Sequence, residues 1–574
     1  MKIGNGKPMS DETIRSEAEG GQAPSKGNRP WTPNRPRTVR SKKVFDKQKM
    51  ERLVSDEKPA YKGQLDPRPK EQREKRKPRS ISRSEEKVMR KARALAAEEE
   101  PAARPPRSFT DFRDEYKPCD ASPGRLGALF ATQQVRRRRA FAQEVIESSI
   151  DRSRLTPQDR AFATLLTLGV VSTEGALDDL IDRCLQSPRD VKPDVRDALR
   201  ISAYEIIYLR KSPHAALDQG VELVRAVAPS AAGLGNAVLH RVLALADSFP
   251  FGDPSKDIEA LARLYAFPLW LAKRLVADLG PETAVALMKA SNEPAPVYIA
   301  VNALKASDEE VRAEFERAGA QLEPRGAGDV PVPGCYEVSP SRVLADGRIR
   351  HLFAQGKILV SDASAQAVVQ CALEGPRPDS LLEVGAGRGT KTLLIQSGAQ
   401  RRFGSQLALT PLDNHGFKTE LLKERAETYG ASIADFATGN ATRLDSVVGD
   451  RAYDRIFIDA PCSGLGTLRR HHEIRWRLTP EQIDELAATD LALLKSAAGH
   501  VKPGGSLVYS TCTVTYAENT GAVKAFLESP EGADFALAPL FGKACFSTQL
   551  VPGGPDAHFA AKFIRNGGDG AEVV

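Results

Sequence analysis

The chain has 574 residues, 41% hydrophobic and 27% charged, which is apolar material for roughly three or four separately cored units at about 150 residues each. No run approaches the roughly 18 consecutive apolar residues of a membrane span, and the opening residues carry no apolar segment of signal-peptide length, so membrane-embedded and secreted classes are set aside and a cytoplasmic protein is expected. The net charge of +7 is unevenly placed: residues 1–118 hold 31 Lys and Arg against 19 Asp and Glu, and the remaining 456 residues hold 51 against 56.

Residues 1–118 include runs such as Lys70 to Arg79 (KEQREKRKPR) and carry too few large apolar side chains to offset the entropy of ordering, which predicts a disordered basic leader. Within it, Ser82 to Glu100 has capping-box spacing at Ser82 and Glu85 and suits a solvated helix. Such a leader serves either as a solubilising tail or as a salt-sensitive tether for nucleic acid.

Residues 119–250 show helical periodicity and almost no strand signal, so an all-α unit is expected there. Leu129, Phe130, Val135, Phe141, Val145 and Ile146 recur at three- and four-residue steps, and Thr156-Pro157 and Ser212-Pro213 read as helix starts. The four consecutive arginines Arg136 to Arg139 cannot all face inward on a helix, so some must meet water or phosphate. Residues 251–355 mix helical stretches with strand-like pieces such as Val297 to Val301, an α+β connector. From 356 to 574, apolar strands alternate with helices, the pattern of a Rossmann-like α/β domain with a parallel sheet.

In this last unit the strand Leu381 to Val384 runs into Gly385-Ala386-Gly387-Arg388-Gly389, after which Thr390 and Lys391 open a helix. Glycines at the carboxyl end of a strand let a ligand approach the backbone. The phosphate-loop spacing is absent, which favours a nucleoside without a triphosphate. A second strand, Leu407 to Leu409, leads to Asp413, placed either to accept ribose hydroxyls or to cap a helix. Asn440, after Gly439, is a candidate for an adenine ring.

The segment Tyr453 to Arg477 reads YDRIFIDAPCSGLGTLRRHHEIRWR, and its strand Ile456 to Ile458 delivers Asp459, Pro461 and Cys462 to the same crevice. Thr479-Pro480 starts a helix to about His500, and Ser506 to Ser510 form a strand that ends in Thr511-Cys512-Thr513. The seven cysteines include no Cys-x-x-Cys pair, so neither a disulfide framework nor a metal site is expected. Two convergent thiols suit methylation at carbon 5 of a pyrimidine. One thiolate adds at carbon 6 and makes carbon 5 nucleophilic, and the other assists loss of the carbon 5 proton. Asp459 suits hydrogen bonding at ring nitrogen 3.

The sequence resembles the Sun/Nop family of RNA cytosine-5 methyltransferases, in the RsmB type with a NusB-like helical domain in front. The resemblance rests on LRISAYEIIYLRKSPHAALDQGVELV and GNAVLHRVL in the helical unit, and on GKILVSDASAQ, EVGAGRGTKT, DAPCSGLGTLRRHHEIRW and KPGGSLVYSTCTVTYAEN in the catalytic one. It implies S-adenosyl-L-methionine held by Gly385, Ala386, Gly387, Arg388, Gly389, Thr390 and Lys391, with Asp413 at the ribose, Asn440 at the adenine and Asp459 near donor and base. It assigns the nucleophile to Cys512 and product release to Cys462, with Asp459 and Lys391 completing the catalytic set. DNA cytosine methyltransferases use the Pro-Cys thiol as nucleophile, so RNA, foremost small-subunit ribosomal RNA, is the implied partner, met by a monomer. Asn440 stands where the family usually has Asp, Thr390 where it prefers Gly, His472 where a Pro is usual and Ala300 where an Arg is expected. Two alternatives remain: a non-catalytic NusB-like antitermination factor, and a transfer RNA methyltransferase.

Overall fold

The computed structural model describes residues 112–567 apart from 152 and 211, so the leader up to residue 111, with its Ser82 to Glu100 stretch, lies outside the described residues. The helical unit takes in residues ahead of the expected boundary at 119. Phe112 opens a short turn, Phe112–Glu115, and buries its ring 6.0 Å from that of Phe130.

The helices of this unit are Pro123–Arg138, Pro157–Arg183, Pro193–Tyr204, Pro213–Val227 and Ala232–Leu245. Each of the first four opens on a proline, whose missing N–H would be unpaired there in any residue. Thr156 caps as its sequence suggests, accepting from the Asp159 N–H at 3.1 Å. Ser212 differs: its φ is +41° and its side chain makes no capping bond, so Pro213 starts that helix without it. Leu129, Leu166, Leu180, Leu199 and Leu239 are fully buried in the common core. Of the arginine run, Arg136 pairs with Asp197 and Asp194 and Arg137 with Asp194, whereas Arg138 and Arg139 are exposed.

The connector contributes helices Ile258–Tyr265, Leu269–Leu279 and Pro281–Ala290, then an antiparallel sheet. Its strands are β1 (Tyr298–Val301), β2 (Gln321–Pro324), β3 (Cys335–Ser339) and β4 (Ile358–Val360), in the order β2-β3-β1-β4. Strand β4 lies past the expected boundary at 355 because the turn at Gly356 returns the chain to β1, where Ile299 pairs with Val360. Ala300, at the position where an arginine was expected, is buried in β1.

The last unit is an eight-stranded sheet of β5 (Ser380–Val384), β6 (Ala408–Asp413), β7 (Ala437–Thr438), β8 (Tyr453–Asp459), β9 (Val501–Thr511), β10 (Phe535–Ala538), β11 (Phe546–Ser547) and β12 (Phe559–Arg565). The order is β10-β12-β9-β8-β5-β6-β7, with β11 paired to β12. Strands β5 to β9 are parallel, as expected. The last three are antiparallel neighbours: β12 runs against β9, and β10 and β11 run against β12. Only short loops join these last strands, too short for the helical crossover that a parallel arrangement needs. Successive connections leave β5 in opposite directions, toward β6 on one side and β8 on the other. A crevice therefore opens at its carboxyl end. Among the described residues no helix is long and apolar enough to cross a membrane.

One stretch just after Cys462 binds the three units together. Trp476 donates from Nε1 to the Ser172 carbonyl at 3.2 Å, Glu473 accepts from the Ala142 N–H at 2.7 Å, and Arg477 donates to the carbonyls of Arg139 and Ala140 at 2.8 Å each. Arg475 is fully buried, with its guanidinium 4.4 Å from the centre of the Phe267 ring and 2.8 Å from Asn292 Oδ1. Burial pulls its pKa down to about 9. Arg469 and Arg470 both grip Asp556, at 2.8 and 2.6 Å.

Gly175 makes room for the Trp476 ring, since a Cβ there would lie 2.3 Å from it. Gly175→Leu therefore trades the better helix propensity of leucine, about 1 kcal/mol, against overpacking of about 1–3 kcal/mol or more. The expected outcome is a net loss of stability in denaturant unfolding. A gain would show that the ring does not occupy this notch.

Candidate active site

The turn after β5 is shaped by backbone that only glycine adopts easily. Gly385, Gly387 and Gly389 have φ of +84°, +57° and +84°. A Cβ on Gly385 would stand 2.3 Å from the Asp459 carbonyl, so the end of β5 packs directly on the end of β8. The N–H groups of Gly385 and Ala386 both donate to the Leu412 carbonyl, at 2.9 and 3.0 Å. A Cβ on Gly387 would meet nothing nearer than 3.9 Å, which leaves open space over the middle of the turn. Arg388 points its side chain to solvent, and its carbonyl accepts from Arg425 at 2.5 Å. Thr390 begins the helix Thr390–Phe403.

Asp413, the last residue of β6, is buried, and the N-cap of the helix that follows is His415 rather than Asp413. It accepts from the Gly387 N–H at 3.0 Å and from the His415 N–H at 2.9 Å, and it pairs with Lys418 at 3.4 Å. It thus fixes the glycine turn from the cofactor side and shapes the entry to the helix Gly416–Tyr429. Asn440 follows β7 and is exposed. Its Oδ1 accepts from Thr442 N and Oγ1 at 3.0 and 2.9 Å, which makes it the cap of the Ala441–Arg443 turn. A glycine cradle with open space above it and a buried carboxylate at the next strand end fits an adenosyl group bearing a short charged tail.

Across the crevice, Lys391 Nζ lies 2.7 Å from Asp459 Oδ2. Burial opposes the lysine charge, but Asp459, with added contributions from Cys512 and Glu383, outweighs it and holds the pKa above the ordinary lysine value. Beneath this pair, Glu383 on β5 is fully buried and accepts from Thr392 Oγ1 at 2.6 Å. Burial, aided by the nearby Asp459 charge and opposed by the Thr392 bond and Lys391, pushes its pKa up to about 8. The floor of the site therefore holds one ion pair and one neutral carboxyl group at neutral pH.

The two sulfur atoms meet. Strands β8 and β9 pair in parallel with Asp459 opposite Ser510, which sends Cys462 and Cys512 off adjacent strand ends. Cys462 Sγ lies 3.2 Å from Cys512 Sγ and also 3.2 Å from the Cys512 backbone N–H, and both cysteines are partly buried free thiols. The hydrogen bond to Cys512, then burial, then the charges of Cys512 and Glu518 drive the Cys462 pKa well above the ordinary thiol value. The two sulfurs thus sit side by side at the mouth of the crevice. Gly466 seals the loop: its N–H donates to the Cys512 carbonyl at 3.0 Å, and a Cβ there would lie 2.0 Å from the Ala557 carbonyl.

Sequence reasoning gave no role to Glu383, Glu518 or His558. Glu383 carried a signal, a carboxylate within the apolar strand Leu381 to Val384. Thr515 and Glu518 have capping-box spacing, but the Glu518 carboxylate turns inward instead. His558 had no signal. It is buried, and burial followed by the Lys391 charge lowers its pKa to about 3, so it is a neutral imidazole. His472 is also neutral, since burial lowers its pKa to about 3.

Comparison with known proteins gives a consistent result. Residues 370–564 match the family of 16S rRNA methyltransferase RsmB/F, residues 123–244 the NusB family, and residues 267–330 the ferredoxin-like domain of RsmF/B-like methyltransferases. The probable ribosomal RNA small subunit methyltransferase B of Bacillus subtilis is 30% identical over 413 residues, covering 71% of this chain and 88% of that protein. The corresponding Synechocystis protein is 31% identical over 411 residues, covering 70% and 89%. Ribosomal RNA small subunit methyltransferase B of Escherichia coli is 30% identical over 436 residues, covering 74% and 96%. The crystal structure of PH0851 shares the fold, with a TM-score of 0.60 at 22% identity over 78% of this chain and all of that one.

The neutral Glu383 has a measurable consequence. The folded chain keeps this proton up to about pH 8, while an unfolded chain releases it near the ordinary value of 4.5, so stability falls as pH rises through that window. Glu383→Gln keeps an acceptor for Thr392 and removes the titration. Its advantage over the parent in denaturant unfolding should grow from pH 5 to 8, by on the order of a few kcal/mol. Parallel stability curves for the two proteins would contradict a neutral carboxyl at this position.

Proposed function

The chain belongs to the RsmB/F family of 16S rRNA methyltransferases, and on that premise we propose that it transfers the methyl group of S-adenosyl-L-methionine to carbon 5 of a cytosine in small-subunit ribosomal RNA. The carrying observation is the 3.2 Å approach of Cys462 and Cys512 beside the Lys391–Asp459 pair. A methyltransferase acting on a nucleophilic nitrogen or oxygen has no use for two adjacent thiols. Carbon 5 of cytosine does, because it becomes nucleophilic only after a thiolate has added at carbon 6.

In this reading Gly385 to Lys391, Asp413 and Asn440 hold the donor. Asp459, oriented by its pairing with Lys391, faces the base edge and steadies ring nitrogen 3 as charge moves into the ring. Cys512 supplies the electron pair to carbon 6. After methyl transfer the carbon 5 proton passes to the Cys462 sulfur, which acts as a thiolate once it has given up its own proton. The pair from the carbon–hydrogen bond restores the carbon 5–carbon 6 double bond, and the Cys512 thiolate departs with the electrons of the carbon–sulfur bond. The target base has to be unstacked to reach the crevice. The helical unit and the basic leader grip the flanking RNA, and the protein works in the cytoplasm as a monomer without a metal. A transfer RNA substrate is less favoured, because the relatives named above are small-subunit ribosomal RNA enzymes.

Cys512→Ser should lower methyl transfer to 16S rRNA by about a thousandfold or more. Cys462→Ala should instead accumulate a covalent protein–RNA species that survives a denaturing gel. Bisulfite sequencing of total RNA from cells with and without the gene should show one protected cytosine lost from the small-subunit rRNA. Full turnover by Cys512→Ser, or an unchanged bisulfite map, would remove this function.

A further inference from the structure

The two cysteine loops are tied together by a carboxylate that belongs to neither. Glu518 lies in the helical turn Ala517–Gly521 and is fully buried; among the described residues it forms no ion pair with a cation. Its Oε1 accepts from the Ser463 N–H at 2.6 Å, and its Oε2 accepts from Ser463 Oγ at 2.7 Å and Thr515 Oγ1 at 2.6 Å. Ser463 Oγ is also 2.6 Å from Thr513 Oγ1. Ser463 directly follows Cys462, and Thr513 directly follows Cys512. The carboxylate is therefore bonded to the residue after one cysteine and, through it, to the residue after the other.

The anchor of this side chain is itself buried. Burial pushes Asp490 up to about 8, so at neutral pH it is protonated. The Tyr509 hydroxyl donates between Asp490 Oδ2 at 2.9 Å and the Glu518 carbonyl at 2.5 Å, which links the two acidic residues through one side chain. A buried carboxylate lacking a cation partner is tolerated only when hydrogen bonds saturate it, and the short bonds from Ser463 and Thr515 form such a set.

We propose that Glu518 is a positioning residue that clamps the Pro-Cys loop onto the Thr-Cys loop and thereby sets the approach of the Cys462 sulfur to Cys512. The inference rests on the two-cysteine reading above and adds a cause for the geometry that reading needs. Without the clamp the β8–β9 pairing still delivers both strand ends, so the Cys512 adduct forms. The Ser463 side of the loop then loses its tether, and Cys462 no longer stands where product release requires it.

The experiment uses the full-length protein with a 16S rRNA transcript and S-adenosyl-L-methionine, comparing Glu518→Ala, Glu518→Gln, Ser463→Ala and Cys462→Ala. Glu518→Ala should leave donor affinity within about twofold, lower turnover on the order of 10- to 100-fold, and accumulate the same gel-stable protein–RNA species as Cys462→Ala. Glu518→Gln keeps the shape and an acceptor for the Ser463 N–H, and should retain at least about a third of turnover. Parental turnover in Glu518→Ala, or loss of turnover without the covalent species, overturns the proposal. Should Glu518→Ala fail to fold, Ser463→Ala decides: a several-fold rise in the covalent species supports the clamp, and none refutes it. If Cys462→Ala itself traps nothing, the two-cysteine reading falls. If it traps RNA while neither clamp variant does, the clamp alone falls.

Discussion

The parallel pairing of β8 with β9 is the constraint on which the site depends. Its register puts Asp459 opposite Ser510, so the chain leaves both strands at the same level, and Cys462 and Cys512 meet across two loops. The loops are stitched by the Gly466 N–H to the Cys512 carbonyl and by the Cys512 N–H to the Cys462 sulfur. A shift of register by one residue would turn each side chain to the opposite face of the sheet. The apolar faces on both sides of β8 and β9, with Ile456, Phe457, Val508 and Tyr509 fully buried, make such a shift costly. The same burial that stabilises the sheet therefore also fixes the distance between the sulfurs.

The electrostatics follow from where the sheet places polar groups. Lys391 reaches across from the helix after the glycine turn, and Asp459 ends β8, so their pairing ties the two sides of the crevice. Glu383 sits beneath them in dry surroundings, where burial, with the Asp459 charge adding to it, keeps it neutral. Asp490 follows the same logic beneath the cysteine loops. The site thus concentrates one ion pair at the crevice and keeps its supports uncharged, with Glu518 the saturated exception.

The parts of the site that were legible in the sequence are those that follow from strand ends. Apolar strands stop at Val384, Ile458 and Ser510, and the residues that come next (Gly385, Asp459, Cys462 and Cys512) must then face the crevice. The antiparallel edge of the sheet was not legible, because β10 and β11 are short and no helix separates β10, β11 and β12. The buried supports were also missed. Thr515 and Glu518 look like any capping pair, and nothing in the local pattern tells an inward carboxylate from a solvated one. Ser212 shows the converse, a residue with the right identity for a cap whose φ of +41° takes it out of capping geometry.

The segment from Arg469 to Arg477 ends the Cys462 loop and, within nine residues, inserts into both other units through Trp476, Glu473, Arg475 and Arg477. The helical unit is consequently no detachable cassette. Removing it would strip the Trp476 indole of its seat and leave the Glu473 carboxylate without the Ala142 N–H, eleven residues past Cys462. Grafting a foreign recognition module onto this catalytic unit would have to bring along a matching notch for that indole and a donor for that acid, so recognition and chemistry are inherited together.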